Sequence, residues 1–87
     1  MEKVLSIAGS DSSGGAGIQA DLRTFQELGV YGMTALTVIV TMNPHNGWMH
    51  QVFPVELNTI KAQLETVAAG IGVDAVKNRI NPLLIRT

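Results

Sequence analysis

A glycine-rich turn between Gly9 and Gly17 is the first part of this sequence whose residues could do chemistry. Turns of this kind, placed between an apolar strand and a helix, commonly hold a phosphate group on their backbone amides. In the phosphate-binding loop of many nucleotide-binding proteins, a lysine and a hydroxyl residue complete the site. Gly15 and Ala16 occupy those two positions here, so the turn does not match that motif.

The same turn fits the dinucleotide-binding fingerprint only in part. Gly15 and Gly17 form one Gly-x-Gly pair, but Ala20 stands where the third glycine is expected. Alanine is sometimes tolerated there, yet the acidic residue expected after the second strand is also missing at positions 41–43. A simpler interpretation is that the glycines only let the backbone turn and bring the helix close to the sheet.

Asp21 follows the turn within the first part of a predicted helix. On a helical wheel its side chain falls between those of Phe25 and Leu28, on the apolar face. A carboxylate buried there is costly unless it is hydrogen-bonded. It is either a helix-start acid favoured by the macrodipole or an acceptor for the polar edge of a small ligand. Asp11 is a weaker candidate, because turn aspartates commonly bind local amides.

Four other residues could serve a site. His45 and His50 lie five residues apart without a third ligand, so we expect both to face solvent and predict no metal site. Trp48 is interpreted as a packing residue of its loop, with a lid over a ligand as the alternative. Met42 ends the second predicted strand and points either into the core or toward the ligand crevice.

The elements that must position these residues alternate between strand and helix. Apolar runs predict strands at Val4 to Ala8, Met33 to Met42 and Gly72 to Lys77, and a brief strand at Gln51 to Phe53 inside a loop. Helical spacing of apolar residues predicts one helix from Ile18, ended by Gly29, and another from Leu57 to Ile71. This order predicts an α/β fold, the opening of a doubly wound sheet with right-handed crossovers and at least one bare apolar edge.

The composition narrows the class of protein. With 87 residues, 46% of them hydrophobic and 15% charged, the chain is at most one domain and is richer in apolar surface than a small domain needs. We therefore expect part of a larger protein. The absence of cysteine excludes disulfides and thiolate sites, and the net charge of −1 offers no basic surface for nucleic acid. No apolar run is long enough to span a membrane, and we expect a cytoplasmic protein.

The segment IAGSDSSGGAGIQADLRTFQELGVYGMTALTVIVTM closely resembles the amino-terminal part of bacterial hydroxymethylpyrimidine and phosphomethylpyrimidine kinases, in the ribokinase-like superfamily. The resemblance continues through HQVFPVELNTIKAQLETVAAGIGVDAVK and covers residues 2–77. Within that family the sequence is most similar to the Gram-positive branch of pyridoxine (vitamin B6) kinases. The implied fold is the amino-terminal βαβαβ part of a ribokinase-like sheet, with residues 1–77 binding the acceptor and residues 78–87 forming a tail outside the pattern.

The resemblance implies transfer of the ATP γ-phosphoryl group, with Mg²⁺, to the hydroxymethyl group of a small heteroaromatic ring, in vitamin B6 salvage or thiamine biosynthesis. Carried over by position, Asp21 would bind the polar edge of the ring, while Gly9, Ala16 and the backbone of Val40 would line its slot. Pyrimidine kinases carry a glutamine where this chain has Met42, so Met42 favours pyridoxine, pyridoxal or pyridoxamine, although use of both substrates stays open. Full-length relatives are expected to be homodimers.

The sequence departs from the family after Lys77, where a Thr-Gly-Met-Leu segment is replaced by NRINPLLIRT. We therefore expect the ATP site, the magnesium site and the catalytic residues to be absent from this chain, which would have no kinase activity alone. The hypothesis for this tail is a frameshift, a truncation or a wrongly assigned gene end. The alternative function is a non-catalytic α/β binding or interaction module that uses its bare sheet edge.

Overall fold

The computed structural model of this chain describes residues 1–78, which form a four-stranded sheet with helices on both faces. The elements in chain order are β1 (Lys3–Asp11), α1 (Gly17–Leu28), β2 (Tyr31–Asn43), β3 (Met49–Pro54), α2 (Leu57–Leu64), a π-helical segment (Glu65–Ile71) and β4 (Ala75–Asn78). The predicted alternation of strand and helix is therefore confirmed. No helix within residues 1–78 is long and apolar enough to cross a membrane.

The sheet has the order β3-β2-β1-β4. β1 pairs in parallel with β2 on one side and with β4 on the other, as a doubly wound sheet requires. The brief strand predicted in the loop is longer than expected and forms an antiparallel edge strand on β2. A tight turn makes this possible, since Gly47 and Trp48 both have positive φ and Met49 N donates to the Asn46 carbonyl.

The main apolar core lies between the sheet and α2. Parallel pairing places Leu5 opposite Met33 and Ile7 opposite Ala35, and strand alternation directs all four side chains to this face. Val67 of the π-helical segment packs against them together with Leu64 and Val73. Burial of these apolar side chains stabilises the packing of the second half of the chain against the sheet.

The opposite face of the sheet receives α1. Helix α1 ends at Gly29, where Gly29 N donates to the Gln26 carbonyl and Val30 N donates to the Phe25 carbonyl, the pattern of a Schellman motif. Gly32 of β2 lies against this helix, since an added Cβ would stand 2.9 Å from Phe25 Cδ2. The buried stripe is narrower than the spacing predicted, because only Asp21 and Phe25 are buried in α1.

The outer edge of β2 is closed in two ways. Beyond the end of β3, the Gln63 side chain takes the place of a strand, because its Oε1 accepts from Leu36 N at 2.7 Å and its Nε2 donates to the Leu36 carbonyl at 2.9 Å. Val55 N donates to the neighbouring Thr37 carbonyl. The helix predicted as one element from Leu57 to Ile71 is therefore an α-helix whose last turns widen into a π-helix after this anchor.

The predicted division at Lys77 falls at the limit of the described residues. Strand β4 continues to Asn78, which pairs with Ile7 of β1. The remaining residues of the predicted tail, 79–87, lie outside the described part of the chain. The division into residues 1–77 and 78–87 stays a prediction.

Candidate functional site

A cavity of about 310 Å³ lies at the carboxyl ends of β1 and β2, beside the first residues of α1. Its volume is at the lower end of the range of about 300–1,000 Å³ that is usual for small-ligand sites. The lining residues are Ala8, Gly9, Ser10, Asp11, Ala16, Gly17, Val38, Val40, Met42 and His50. Parallel α/β sheets bind ligands outside the carboxyl ends of their strands, which is where this cavity lies.

A β-bulge shapes the floor of the cavity. The pairing of β1 with β2 runs from Ala8–Leu36 to Ser10–Ile39, so β2 carries one extra residue at this point. Gly9 lies in the bulge, where an added Cβ would stand 2.7 Å from Val38 Cγ1. The missing side chain therefore opens the space that the cavity occupies.

Gly17 joins the start of α1 to the end of β1. Its φ of 64° lies in the left-handed region, and an added Cβ would stand 2.3 Å from the Gly9 carbonyl oxygen. Gly17 and Ser10 also form an isolated antiparallel bridge. The glycine turn thus brings the helix close to the sheet, as the simpler interpretation of the sequence predicted.

Asp11 holds the glycine turn together. Its Oδ1 accepts from Ser13 N at 2.9 Å and from Ser13 Oγ at 2.7 Å, and its Oδ2 accepts from Ala16 N at 2.9 Å. The Ser13 hydroxyl, followed by the backbone amides of the turn, holds the pKa of the Asp11 carboxyl below its ordinary value. This aspartate therefore satisfies local amides, as predicted from its place in the turn.

The lowered pKa of Asp11 predicts a pH dependence of the turn. Since the folded-state pKa is depressed, the stabilisation is fully present above the ordinary value of about 3.9 and is lost as the pH falls through the lowered one. We expect the ¹³C resonance of the Asp11 carboxyl to titrate with a midpoint below about 3.9. Ser13→Ala should move that midpoint upward, and an unchanged midpoint in this variant would contradict the assigned cause.

Asp21 does not line the cavity and has partners of its own. Its side chain is buried, Oδ2 accepts from Ser6 Oγ at 2.6 Å, and Oδ1 accepts from Lys77 Nζ at 2.8 Å. The Lys77 side chain is 40% exposed, so the ammonium reaches the carboxylate from the protein surface. The contacts tie α1 to β1 through Ser6 and to β4 through Lys77.

Four of the five predicted site residues come together. Gly9, Ala16, Val40 and Met42 all line the cavity, so Met42 points toward the crevice and not into the core. Asp21 is not part of the lining. It is buried, as the helical wheel predicted, and its carboxylate accepts hydrogen bonds from Ser6 and Lys77. The predicted contact between Asp21 and a ring has no support from this arrangement and stays a prediction.

His50 was predicted from the sequence to face solvent and was not among the predicted site residues. His50 is exposed, but it pairs with Met42 across β2 and β3 and lines the cavity. The alternation of side chains along β3 would have placed His50 at the cavity if this strand had been predicted to pair with β2. Trp48, the other open assignment, is 64% exposed and does not line the cavity.

The part of the chain that the structure describes contains no group of three or more His, Asp or Glu side chains placed to hold a metal ion. The lining itself is mostly aliphatic, with Ser10, Asp11 and His50 as its polar side chains. Such a wall is suited to a flat, uncharged ring more than to a phosphate group.

This chain is similar to a family of kinases and to several of its members. Residues 11–78 match the phosphomethylpyrimidine kinase family. The chain is 70% identical to the pyridoxine kinase of Bacillus subtilis over 82 residues, which are 94% of this chain and 30% of that relative. It is 51% identical over 75 residues to the hydroxymethylpyrimidine/phosphomethylpyrimidine kinase of the same organism, covering 86% of this chain and 27% of that relative.

A solved structure agrees with the fold. The pyridoxal kinase of Staphylococcus aureus in complex with AMP-PCP and pyridoxal is similar with a TM-score of 0.86 at 56% identity, covering 92% of this chain and 29% of that one. The chain therefore spans less than a third of the length of each of these three proteins.

Proposed function

The chain belongs to the phosphomethylpyrimidine kinase family, and we propose that its described residues form the acceptor-binding part of an ATP-dependent kinase. The reaction transfers the γ-phosphoryl group of ATP to the hydroxymethyl group of a small heteroaromatic ring. The acceptor is pyridoxine, pyridoxal or pyridoxamine, with hydroxymethylpyrimidine or its phosphate as the other class. These reactions serve vitamin B6 salvage and thiamine biosynthesis respectively.

The observation that carries the proposal is the convergence of Gly9, Ala16, Val40 and Met42 on one cavity. The family resemblance assigns Gly9, Ala16 and Val40 to the slot of the acceptor ring, and it makes Met42 the position that distinguishes the two classes of ring. Arg23 of α1 reaches the glycine turn and donates to the Gly14 carbonyl, but no lysine or arginine lines the cavity, so the cavity wall offers neither cation to a phosphate. An uncharged ring needs none, and burial of its faces against aliphatic side chains supplies the binding energy.

Asp21 supports the frame of the cavity. Its carboxylate fixes α1 to Ser6 of β1, two residues before Ala8 in the cavity wall. The helix start that it holds also includes Gly17, another wall residue. We therefore assign Asp21 as a positioning residue, while its contact with the polar edge of the ring stays the prediction made from the sequence.

The phosphate donor is the second part of the proposal. The Staphylococcus aureus pyridoxal kinase was solved with both AMP-PCP and pyridoxal, which supports ATP as the donor. Magnesium is included because phosphoryl transfer depends on a cation that neutralises the charge developing on the phosphates. The proposal assigns no residue of 1–78 to either group. It includes a cytoplasmic location and a homodimeric full-length kinase.

Binding of pyridoxine to the ¹⁵N-labelled chain tests where the acceptor lies. We expect saturable NMR shifts of the Gly9, Ala16 and Val40 amides and no change along α2. Ala16→Trp, which fills the cavity from an exposed position, should abolish these shifts while the rest of the spectrum is retained. Shifts that persist in this variant, or that cluster on α2, would contradict the proposed site.

Met42 controls the choice between the two classes of ring. A thioether offers at most a weak acceptor, whereas a glutamine amide offers a donor and an acceptor to the aminopyrimidine edge. We expect Met42→Gln to raise the affinity for hydroxymethylpyrimidine relative to pyridoxine by about tenfold, the effect of one to two hydrogen bonds. Met42→Leu, which keeps the volume without the amide, is the control. Equal ratios in both variants would contradict this role.

A further inference from the structure

The turn between β2 and β3 contains an asparagine that is directly followed by glycine. Of the asparagines in the sequence, only Asn46 has this neighbour. Residues 44–50 are all exposed, so water reaches both Asn46 and Gly47. Neither residue lines the acceptor cavity, so their chemistry is separate from that of the cavity.

The reaction open to such a pair is attack of the glycine backbone nitrogen on the asparagine side-chain amide. The Gly47 nitrogen loses its proton to hydroxide and forms a bond to Asn46 Cγ, and the side-chain nitrogen leaves as ammonia. The product is a cyclic succinimide, which water opens at either of its two carbonyls. One opening gives aspartate, and the other gives isoaspartate, in which the backbone runs through the side-chain carbons. Water is the only further reactant.

Three properties of the turn favour this attack. Within residues 1–78, Gly47 N donates no hydrogen bond, and the Asn46 side chain neither donates nor accepts one. Gly47 has no side chain to shield its nitrogen, and nothing lies within 4 Å of the place that a Cβ would take. Because glycine adopts more backbone conformations than other residues, its nitrogen can also approach Cγ more freely.

Two other asparagines of the described chain lack these properties. Asn43 precedes a proline, whose nitrogen carries no hydrogen and cannot form the attacking anion. Asn58 is exposed, but it lies in α2, where the nitrogen of the following Thr59 donates to the Glu56 carbonyl at 3.0 Å. The hydrogen-bond state of the following nitrogen therefore distinguishes Asn46 from Asn58, which is also exposed.

We propose that Asn46 is a site of spontaneous deamidation, and that its conversion to isoaspartate opens the turn. The Asn46 carbonyl accepts from Met49 N at 3.1 Å and closes the turn. In isoaspartate this carbonyl becomes a free carboxylate outside the backbone, and the backbone is one carbon longer, so the turn no longer closes in the same way. The pair formed by Asn43 and Met49 adjoins the turn and is the first that we expect to separate.

Peptide mapping of the full 87-residue chain tests the proposal. Trypsin cleaves after Arg23 and Lys61 and at no site between them, so a single peptide carries Asn43, Asn46 and Asn58. After incubation at neutral pH, we expect the amide-to-acid mass change at Asn46 to proceed at least about tenfold faster than at Asn58, because the nitrogen after Asn58 must first give up its hydrogen bond. Asn43 should stay an amide. Enzymatic methylation of isoaspartate should then count the isoaspartate that forms.

Two variants separate the structure of the turn from its dipeptide sequence. Gly47→Ala should slow the conversion of Asn46 by at least about fivefold, while its Cβ meets no atom within 4 Å and the chain still folds. Thr59→Gly is the matched variant, since it creates the same Asn-Gly dipeptide within α2. The helical hydrogen bond of residue 59 is retained there, so conversion of Asn58 should stay slower than that of Asn46.

Hydrogen exchange tests the opening of the turn. The Met49 amide should exchange faster in the incubated chain than in the fresh one, because its hydrogen bond to residue 46 is lost. Freshly prepared Asn46→Asp adds the same charge without lengthening the backbone, so it should keep the exchange rate of the fresh wild-type chain.

The possible results are decisive. No conversion at Asn46, equal rates at Asn46 and Asn58, or an unchanged rate in Gly47→Ala would overturn the proposed site. Unchanged exchange of the Met49 amide in the isoaspartate form would overturn the opening of the turn. None of these measurements involves binding of a ring, so failure here and failure of the proposed function are distinguishable.

Discussion

We expect Gly17→Ala to disrupt the start of α1 and to remove the acceptor cavity, which is the largest single-residue effect that we predict. Its Cβ would stand 2.3 Å from the Gly9 carbonyl oxygen; the position of a Cβ is fixed by its own backbone and the carbonyl is backbone, so neither atom can rotate away. The left-handed φ of 64° adds about 1–2 kcal/mol for a residue with a side chain. Together we expect a loss of more than about 3 kcal/mol in the free energy of unfolding, measured in urea.

Gly14→Ala is the matched control for this prediction. Gly14 also has a left-handed φ, of 84°, but nothing lies within 4 Å of an added Cβ. The free energy of unfolding of this variant should therefore fall only by the about 1–2 kcal/mol that a left-handed backbone costs a residue with a side chain, and its affinity for pyridoxine should be kept. Equal losses in Gly14→Ala and Gly17→Ala would mean that the close approach of Gly17 to Gly9 contributes nothing.

We expect Lys77→Met to give the second-largest loss of stability. The change keeps most of the aliphatic stem but removes the ammonium that lies 2.8 Å from the buried carboxylate of Asp21. Breaking a buried ion pair from one side costs about 3–5 kcal/mol, and the partial exposure of Lys77 favours the lower end. We expect a loss of about 3 kcal/mol by urea unfolding, with weaker pyridoxine binding because α1 is less firmly held.

A double-mutant cycle isolates this ion pair from other effects. Asp21→Asn removes the charge and keeps the shape of the side chain, so Lys77→Met should cost clearly less in that background than in the wild-type chain. Lys61→Met, at an exposed position of α2, should change stability by no more than about 0.5 kcal/mol. Costs that simply add would show that Lys77 and Asp21 are not coupled.

The fold could be predicted from the sequence because its signals are local. Continuous apolar runs mark β1 and β2, helical spacing marks α1, and Gly29 marks the end of that helix. The antiparallel pairing of β3 was not predicted, because it depends on a turn through Gly47 and Trp48, and positive φ is unusual for tryptophan. The π-helical segment was also missed, since apolar spacing in the sequence does not distinguish it from an α-helix.

The candidate site was predictable to the extent that the family resemblance reaches it. The match of residues 11–78 confirms that resemblance, and four of the assigned residues meet at one cavity. The helical wheel correctly placed Asp21 beside Phe25 on the buried side of α1, but Leu28, which it placed on the other side of Asp21, is 70% exposed. It could not supply Ser6 and Lys77, which lie 15 and 56 residues away and approach only through the strand order of the sheet. His50 was missed because its strand was not paired with β2.

The measurement that most directly tests the central claim is the kinase activity of a chimera. Residues 1–78 of this chain replace the matching segment of the Bacillus subtilis pyridoxine kinase, to which the chain is 70% identical over 82 residues. We predict phosphorylation of pyridoxine with a kcat/KM within about tenfold of the parent enzyme, and a loss of at least about 100-fold when Ala16→Trp is added. A folded chimera without turnover, or one whose activity survives Ala16→Trp, would contradict the assignment of these residues as the acceptor-binding part.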